Sequence, residues 1–162
     1  MILTQEELDF ARQVGINRNK YAKANGFKNR HGIPVSKELE YDIVGAIGEY
    51  VLCRYLNIEW DHESNLYGKH DVAGYEVRTA SGHRLKLIVR PDDDSDSIFV
   101  LVTVEGNTGR IHGWLYGHEA KQVKWLEAPN DRPAAYFVPR FSLNSMSNLP
   151  GIERFHGSKQ AV

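Results

Sequence analysis

Between Ser36 and Leu56 apolar residues fall on almost every side of a helical projection. Ile43, Val44, Ile47, Val51, Leu52, Tyr55 and Leu56 leave little of it polar, which predicts a long, well-buried helix. Ser36 is a candidate N-cap, with acids following in the first turn. Asp42, Gly45 and Glu49 lie on one line along this helix. Gly45 and Gly48 each cost roughly 1 kcal/mol in a helix interior, which is best explained by a sheet or a ligand passing close to the backbone. An earlier helix is expected from about Thr4 to Ala24, running into a Gly-containing loop over Asn25 to Pro34. Ile98 to Val104 is a near-continuous β-branched and aromatic run, the pattern of a central strand buried on both faces.

Weaker patterns fill in the rest. Arg84 to Arg90 alternates imperfectly and reads as a strand beside Glu76 to Thr79. Asn107-Thr108-Gly109 is expected to turn the central strand into Arg110 to Tyr116. Glu119 to Leu126 reads as a short helix ended by Pro129, Tyr136 to Val138 as a late edge strand, and the segment beyond Pro150 as a loose polar tail.

The most informative stretch is Asp71-Val-Ala-Gly-Tyr-Glu76-Val-Arg78. Ala73-Gly74 reads as a two-residue hairpin turn, so Val72 faces Tyr75 and Asp71 faces Glu76. Opposed side chains of an antiparallel pair lie roughly 5 Å apart. Two carboxylates at that distance repel unless something positive sits between them, and a divalent cation with oxygen ligands meets that need. Alternation puts Arg78 on the face of Glu76 and Lys69 on the face of Asp71. Two acids and two bases on one side of a hairpin suit a metal ion and a phosphate. The same residues also make an ordinary solvated hairpin with surface ion pairs. Glu49 adds an acid on a mostly apolar helix, where an unpaired charge is expensive.

Gly-x-x-Gly-Glu49 on the buried helix, then Asp71, then Glu76-Val-Arg78, resembles the PD-(D/E)xK nuclease superfamily. More specifically, the layout resembles small phage and prophage proteins of that superfamily, as does the later Phe99 to Val104 run followed by Gly113-Trp114-Leu-Tyr-Gly117-x-Glu119-Ala120. The resemblance covers about residues 38–145, and its loose motifs persuade mainly by their order. It implies an α/β fold with a restriction-endonuclease-like mixed central sheet flanked by helices. It further implies a metal-dependent DNA endonuclease of phage or prophage type, using Mg²⁺ or Mn²⁺. Asp71, Glu76 and the Val77 carbonyl would be metal ligands, with Glu49 orienting the attacking water or completing a second metal site. Two departures stand out. His70 replaces the usual Pro, and Arg78 stands where the family has Lys. Arg stabilises charge but does not act as a base, so either Arg78 serves electrostatically, Lys69 or Lys86 substitutes, or activity is reduced or lost. The alternative is therefore a catalytically inactive nuclease-fold protein that binds DNA or another protein.

Composition suits this reading only once the charge is mapped. The 162 residues have a net charge of −1, yet no acid occurs between Asp9 and Glu38, an interval holding Arg12, Arg18, Lys20, Lys23, Lys28, Arg30 and Lys37 together with Asn17, Asn19, Asn25 and Asn29. Residues 1–37 thus form a candidate DNA-backbone-binding arm, before a nuclease core at 38–149 and a tail at 150–162. A solvated helix face and loop would carry the same charges. Length is right for one core. Cys53 is the sole cysteine, so no internal disulfide or cysteine zinc cluster forms. No apolar run is long enough to span a membrane and no signal-peptide pattern opens the chain, so the expected location is the cytoplasm. DNA is the expected partner, with a homodimer left open.

Other motifs fail. Asp92, Asp94 and Asp96 resemble the first ligands of a calcium loop, but Ser97 stands where Gly is required and Thr103 where Glu is required. The seven histidines are dispersed, without metal-ligand spacing. Alternation aims His70 away from the face of Asp71. Trp60, Trp114 and Trp125 read as core or rim.

Overall fold

A computed structural model describes residues 1–28, 32–63, 70–81 and 85–156. Helix α1 (Gln5–Ala24) starts at Thr4, whose hydroxyl accepts from the Glu7 N–H at 3.2 Å while the Glu7 carboxylate accepts from the Thr4 N–H at 2.8 Å. This reciprocal cap pairs two amide donors that helix geometry leaves unpaired. Helix α2 (Val35–Leu56) begins one residue before Ser36, with Pro34 rather than Ser36 as its cap residue, and ends at Asn57 in a left-handed conformation.

The two helices pack closely because Gly15 lets them. A Cβ there would lie 2.6 Å from the Ile43 Cα. Gly48 does the same for α2 and strand β1 (Tyr75–Ser81): a Cβ on Gly48 would lie 1.8 Å from the Thr79 Oγ1. The expected reason for a helical glycine therefore holds at Gly48. It fails at Gly45, where a Cβ would meet nothing within 4 Å.

Strand β2 (Lys86–Val89) is followed by β3 (Ile98–Glu105) and β4 (Thr108–Tyr116). The fold is mixed α/β, but the single central sheet is replaced by two three-stranded sheets. In the first, β3 is central, parallel to β1 and antiparallel to β4. In the second, β2 and β5 (Leu126–Glu127) flank β6 (Ala135–Pro139), all antiparallel. The expected pairing of β2 with β1 is thus wrong. Two parallel strands need a long crossover between them, and β2 rides on that crossover into the other sheet. The expected edge strand at 136–138 is the centre of the second sheet. The turn after β3 is Gly106-Asn107, with Glu105 opposite Thr108. In place of a helix over 119–126 the chain makes a single turn, α3 (Gly117–Ala120), and a 3-10 turn at Val123–Trp125 before entering β5.

Alternation along β3 feeds two cores. Val100, Val102 and Val104 pack with both long helices, while Phe99 and Leu101 pack with Leu87, Val89 and Val138 of the second sheet. The expected loose tail is tied down as far as Phe155: α4 (Glu153–His156) follows a turn whose Pro150 carbonyl accepts from the Tyr75 hydroxyl at 2.7 Å, and Ile152 and Phe155 lie against the first core. No helix among the described residues is long and apolar enough to cross a membrane.

Candidate functional site

The turn before β1 forms as the spacing predicts. Ala73 and Gly74 both have positive φ, 51° and 93°, which the tight hairpin turns require. Val72 and Tyr75 exchange two backbone hydrogen bonds, at 3.0 and 2.8 Å. The ladder stops there. One residue earlier the Asp71 side chain takes over, its Oδ2 accepting from the Val77 N–H at 2.8 Å. Tyr75 and Val77 therefore direct their backbone groups to the outer edge of β1, and the Val77 carbonyl leaves the strand on the side where Asp71 sits.

Glu49 reaches this edge from α2, whose contact at Gly48 and Thr79 holds it on β1. Its side chain is buried, and α1 supplies its partner. Arg18 Nη1 and Nη2 donate to Oε1 and Oε2 at 2.7 and 2.9 Å, and the Trp60 indole N–H donates to Oε2 at 3.3 Å. The guanidinium also lies over the Trp60 ring, 5.6 Å from its centroid. Burial pushes the Asp71 carboxyl up to about 7. The charge of Glu49 adds to the push, and that of Glu76 adds less, against the Val77 N–H and Arg78. Cys53, packed one turn beyond Glu49, is pushed up to about 12 by burial and then by Glu49.

Glu76 and Arg78 share a side of β1 as alternation requires. Arg78 lies 3.6 Å from Glu76, bonds Asp93 at 3.0 Å and rests over the Phe99 ring at 4.9 Å. His70 does not point away: its Nδ1 lies 2.9 Å from Glu76 Oε1, because the hairpin ladder that would enforce alternation ends at Val72. The acidic run of residues 92–96 is a turn, with Asp94 accepting from the Asp96 N–H and the Ser97 hydroxyl.

The structure thus gathers Asp71, Glu76, Val77, Arg78 and Glu49 around one end of β1, while Lys69 lies outside the described residues. Lys86 pairs with Glu127 on the second sheet, 3.5 Å away. Among the described residues no group of three or more His, Cys, Asp or Glu is positioned to hold a metal ion; both Glu49 oxygens face Arg18. Within the basic arm, Arg12 (3.7 Å from Asp9), Lys20, Lys23 and Lys28 are exposed, and Arg30 lies outside the described residues. Arg18 is a correction: its guanidinium turns inward to Glu49 rather than outward to a phosphate. Asn19 is likewise buried, donating to Asp42 at 2.8 Å.

Sequence reasoning missed Arg18, Trp60, His70 and Asp93 as neighbours of the acids. For Arg18 a signal existed. Leu8, Ala11, Gly15 and Arg18 follow helical spacing, so this arginine sits in the apolar stripe of α1. Asp93 had none, since its contact depends on the crossover. Comparison with protein-family models, curated proteins and solved structures finds no match.

Proposed function

We propose that the chain is a metal-dependent DNA endonuclease with a restriction-endonuclease-like site, hydrolysing a phosphodiester bond at the edge of β1. The observation behind this reading is Asp71, a half-buried carboxyl beside two further carboxylates and raised to about 7. A carboxyl whose ionised form is opposed by neighbouring carboxylates is a setting for a cation. Mg²⁺ ordinarily takes one or two carboxylates and keeps several waters. Asp71, Glu76 and the Val77 carbonyl fit that donor set, and would hold Mg²⁺ or Mn²⁺. A bound ion would lower the pKa of the attacking water and offset charge developing on the phosphate.

The remaining roles belong to the chain. Arg78, fixed by Asp93 and Phe99, contacts the scissile phosphate and stabilises its charge without taking a proton. His70 orients the Glu76 carboxylate. Glu49 acts through its charge on Asp71, its own oxygens being held by Arg18 and Trp60. Arg12, Lys20, Lys23 and Lys28 supply backbone contacts on the exposed side of α1 and in the loop after it.

The test is nicking of supercoiled DNA. Parent protein with Mg²⁺ or Mn²⁺ is expected to nick, and Asp71→Ala and Glu76→Ala to be inactive while still folded. Cleavage unchanged in EDTA, or in both variants, refutes the mechanism. One observation favours a second reading: the two-point Arg18–Glu49 pair, with Arg in the Lys position, suits a nuclease-fold protein that binds DNA without cutting. Salt-dependent binding without nicking would select it, and absence of both would refute both readings.

A further inference from the structure

We infer that a gap in the outer edge of β4 is a binding cleft for a small amphipathic carboxylate, its chain on an apolar wall and its head on Arg110, Ile111 and His112. Neither the cleft nor its ligand rests on the endonuclease reading. β4 is an edge strand whose outer side is paired at two places. Gly109 donates its N–H to the Met1 carbonyl at 2.9 Å, and its own carbonyl accepts from the Met1 amino group at 2.7 Å. Trp114 exchanges backbone bonds of 3.1 and 2.9 Å with Asn144. Glycines let the chain close in at both ends. A Cβ on Gly109 would lie 2.3 Å from the Val51 side chain of α2, and one on Gly113 2.5 Å from the Asn144 carbonyl oxygen. Between these close approaches the neighbours stand back and leave a cleft of about 590 Å³, a size usual for small-molecule sites.

Ile111 lines this cleft and alternates with Gly109, so its backbone N–H and C=O also face outward. Among the described residues no backbone bond outside the sheet uses them. The register of β4 slips at the same place. Gly113 lies opposite Leu101 and Ile111 opposite Val102, which leaves His112 as an extra, unpaired residue, the kind of bulge that re-aims a side chain. Thr103 Oγ1 lies 2.7 Å from His112 Nε2 and fixes the ring; with Nε2 as acceptor, Nδ1 carries a donor proton. Arg110 is exposed and enters no ion pair among the described residues. Three consecutive residues thus bring a guanidinium, a backbone N–H and a ring N–H to one cleft, and no acidic side chain of the described residues lines it. Much of the remaining wall is apolar. Val51 and Tyr55 stand one turn apart on α2, and Tyr55, Ile111 and Met146 pack against the first core. A carboxylate satisfies the donors, and an alkyl chain covers wall that water otherwise wets.

The experiment uses the full chain near neutral pH with octanoate, octanol and acetate as probes, read by calorimetry and by amide NMR shifts. Octanoate is expected to bind the parent at least about tenfold more tightly than octanol, which lacks the charge, and than acetate, which lacks the chain. Octanoate should also move the Ile111 amide proton downfield and leave the amides of β1 in place. Arg110→Gln should weaken octanoate roughly fivefold to tenfold and leave octanol unchanged. Octanoate no tighter than octanol, parent-like octanoate affinity in Arg110→Gln, or shifts that miss Ile111 each overturn the assignment, as does no octanoate binding at all. If Arg110→Gln misfolds, the ranking of the probes and the amide shifts of the parent decide. A capped, uncharged valine tripeptide that moves Ile111 where octanoate does not would overturn it in favour of a strand laid along the edge. None of these outcomes bears on nicking, so the endonuclease reading stands or falls separately.

Discussion

Asp71→Asn removes a charge that the fold opposes while keeping the shape that the fold uses. The Asn carbonyl can still accept from the Val77 N–H, and the negative charge facing Glu49 and Glu76 is gone. A carboxyl raised from 3.8 to about 7 opposes folding by up to about 4 kcal/mol once ionised, at about 1.4 kcal/mol per pH unit. The sign follows from linkage. Because the folded value is the higher one, protonated Asp71 favours the fold. That contribution is complete below about 3.8 and is lost as pH rises to about 7. The substitution should therefore matter little near pH 4 and stabilise the metal-free protein increasingly toward pH 8. Loss of the charge-assisted bond to Val77 offsets part of the gain, leaving about 2 kcal/mol, or roughly 4–8 °C in melting temperature for a chain of this size. The assay is thermal or urea unfolding of parent and variant in EDTA from pH 4 to 8.5. A difference independent of pH, or a variant less stable at pH 8, would refute the account of Asp71. Adding Mg²⁺ should then stabilise the parent and leave the variant unmoved.

Other changes test the frame around it. Gly45→Ala should stabilise by up to about 1 kcal/mol, since its Cβ meets open space; Gly48→Ala should destabilise by about 2 kcal/mol or more and impair cleavage, because its Cβ meets Thr79. Equal effects in urea titrations would contradict the helix–strand contact. Arg18→Met takes the guanidinium away from the buried Glu49 carboxylate and should cost about 3–5 kcal/mol, largely recovered in the double variant with Glu49→Gln. An additive double variant would show that the pair is not coupled. Arg78→Lys should retain or raise nicking if that position carries the role of the family lysine, with loss of activity pointing to the guanidinium itself.

What the sequence made legible was local. The turn at Ala73-Gly74, the start of α1 beside Thr4 and the double-sided burial of Ile98 to Val104 each follow from a few adjacent residues. The side chain of Asp71 bonds the Val77 N–H in place of a further ladder step opposite Glu76. The partner of β2 was not legible, because alternating Leu87 and Val89 would satisfy either sheet equally well. Proximity along the chain suggested the wrong sheet. The inward course of Arg18 was legible in principle from its helical phase, but composition, read as a basic run, concealed it. His70 illustrates the limit of alternation: the rule applies only as far as the ladder extends, and the ladder ends at Val72.

β3 is a party wall between the two cores. Its even-numbered valines close one and Phe99 with Leu101 the other, and β1 hangs from it along its whole length. Strand β1 consequently has little stability of its own to draw on. A fragment ending before β6 would strip the cover from Phe99, Leu101 and Leu115 and expose a sticky β surface at the moment β1 needs a firm neighbour. A piece that kept β1 but lacked β6 would leave the candidate site on an uncovered sheet.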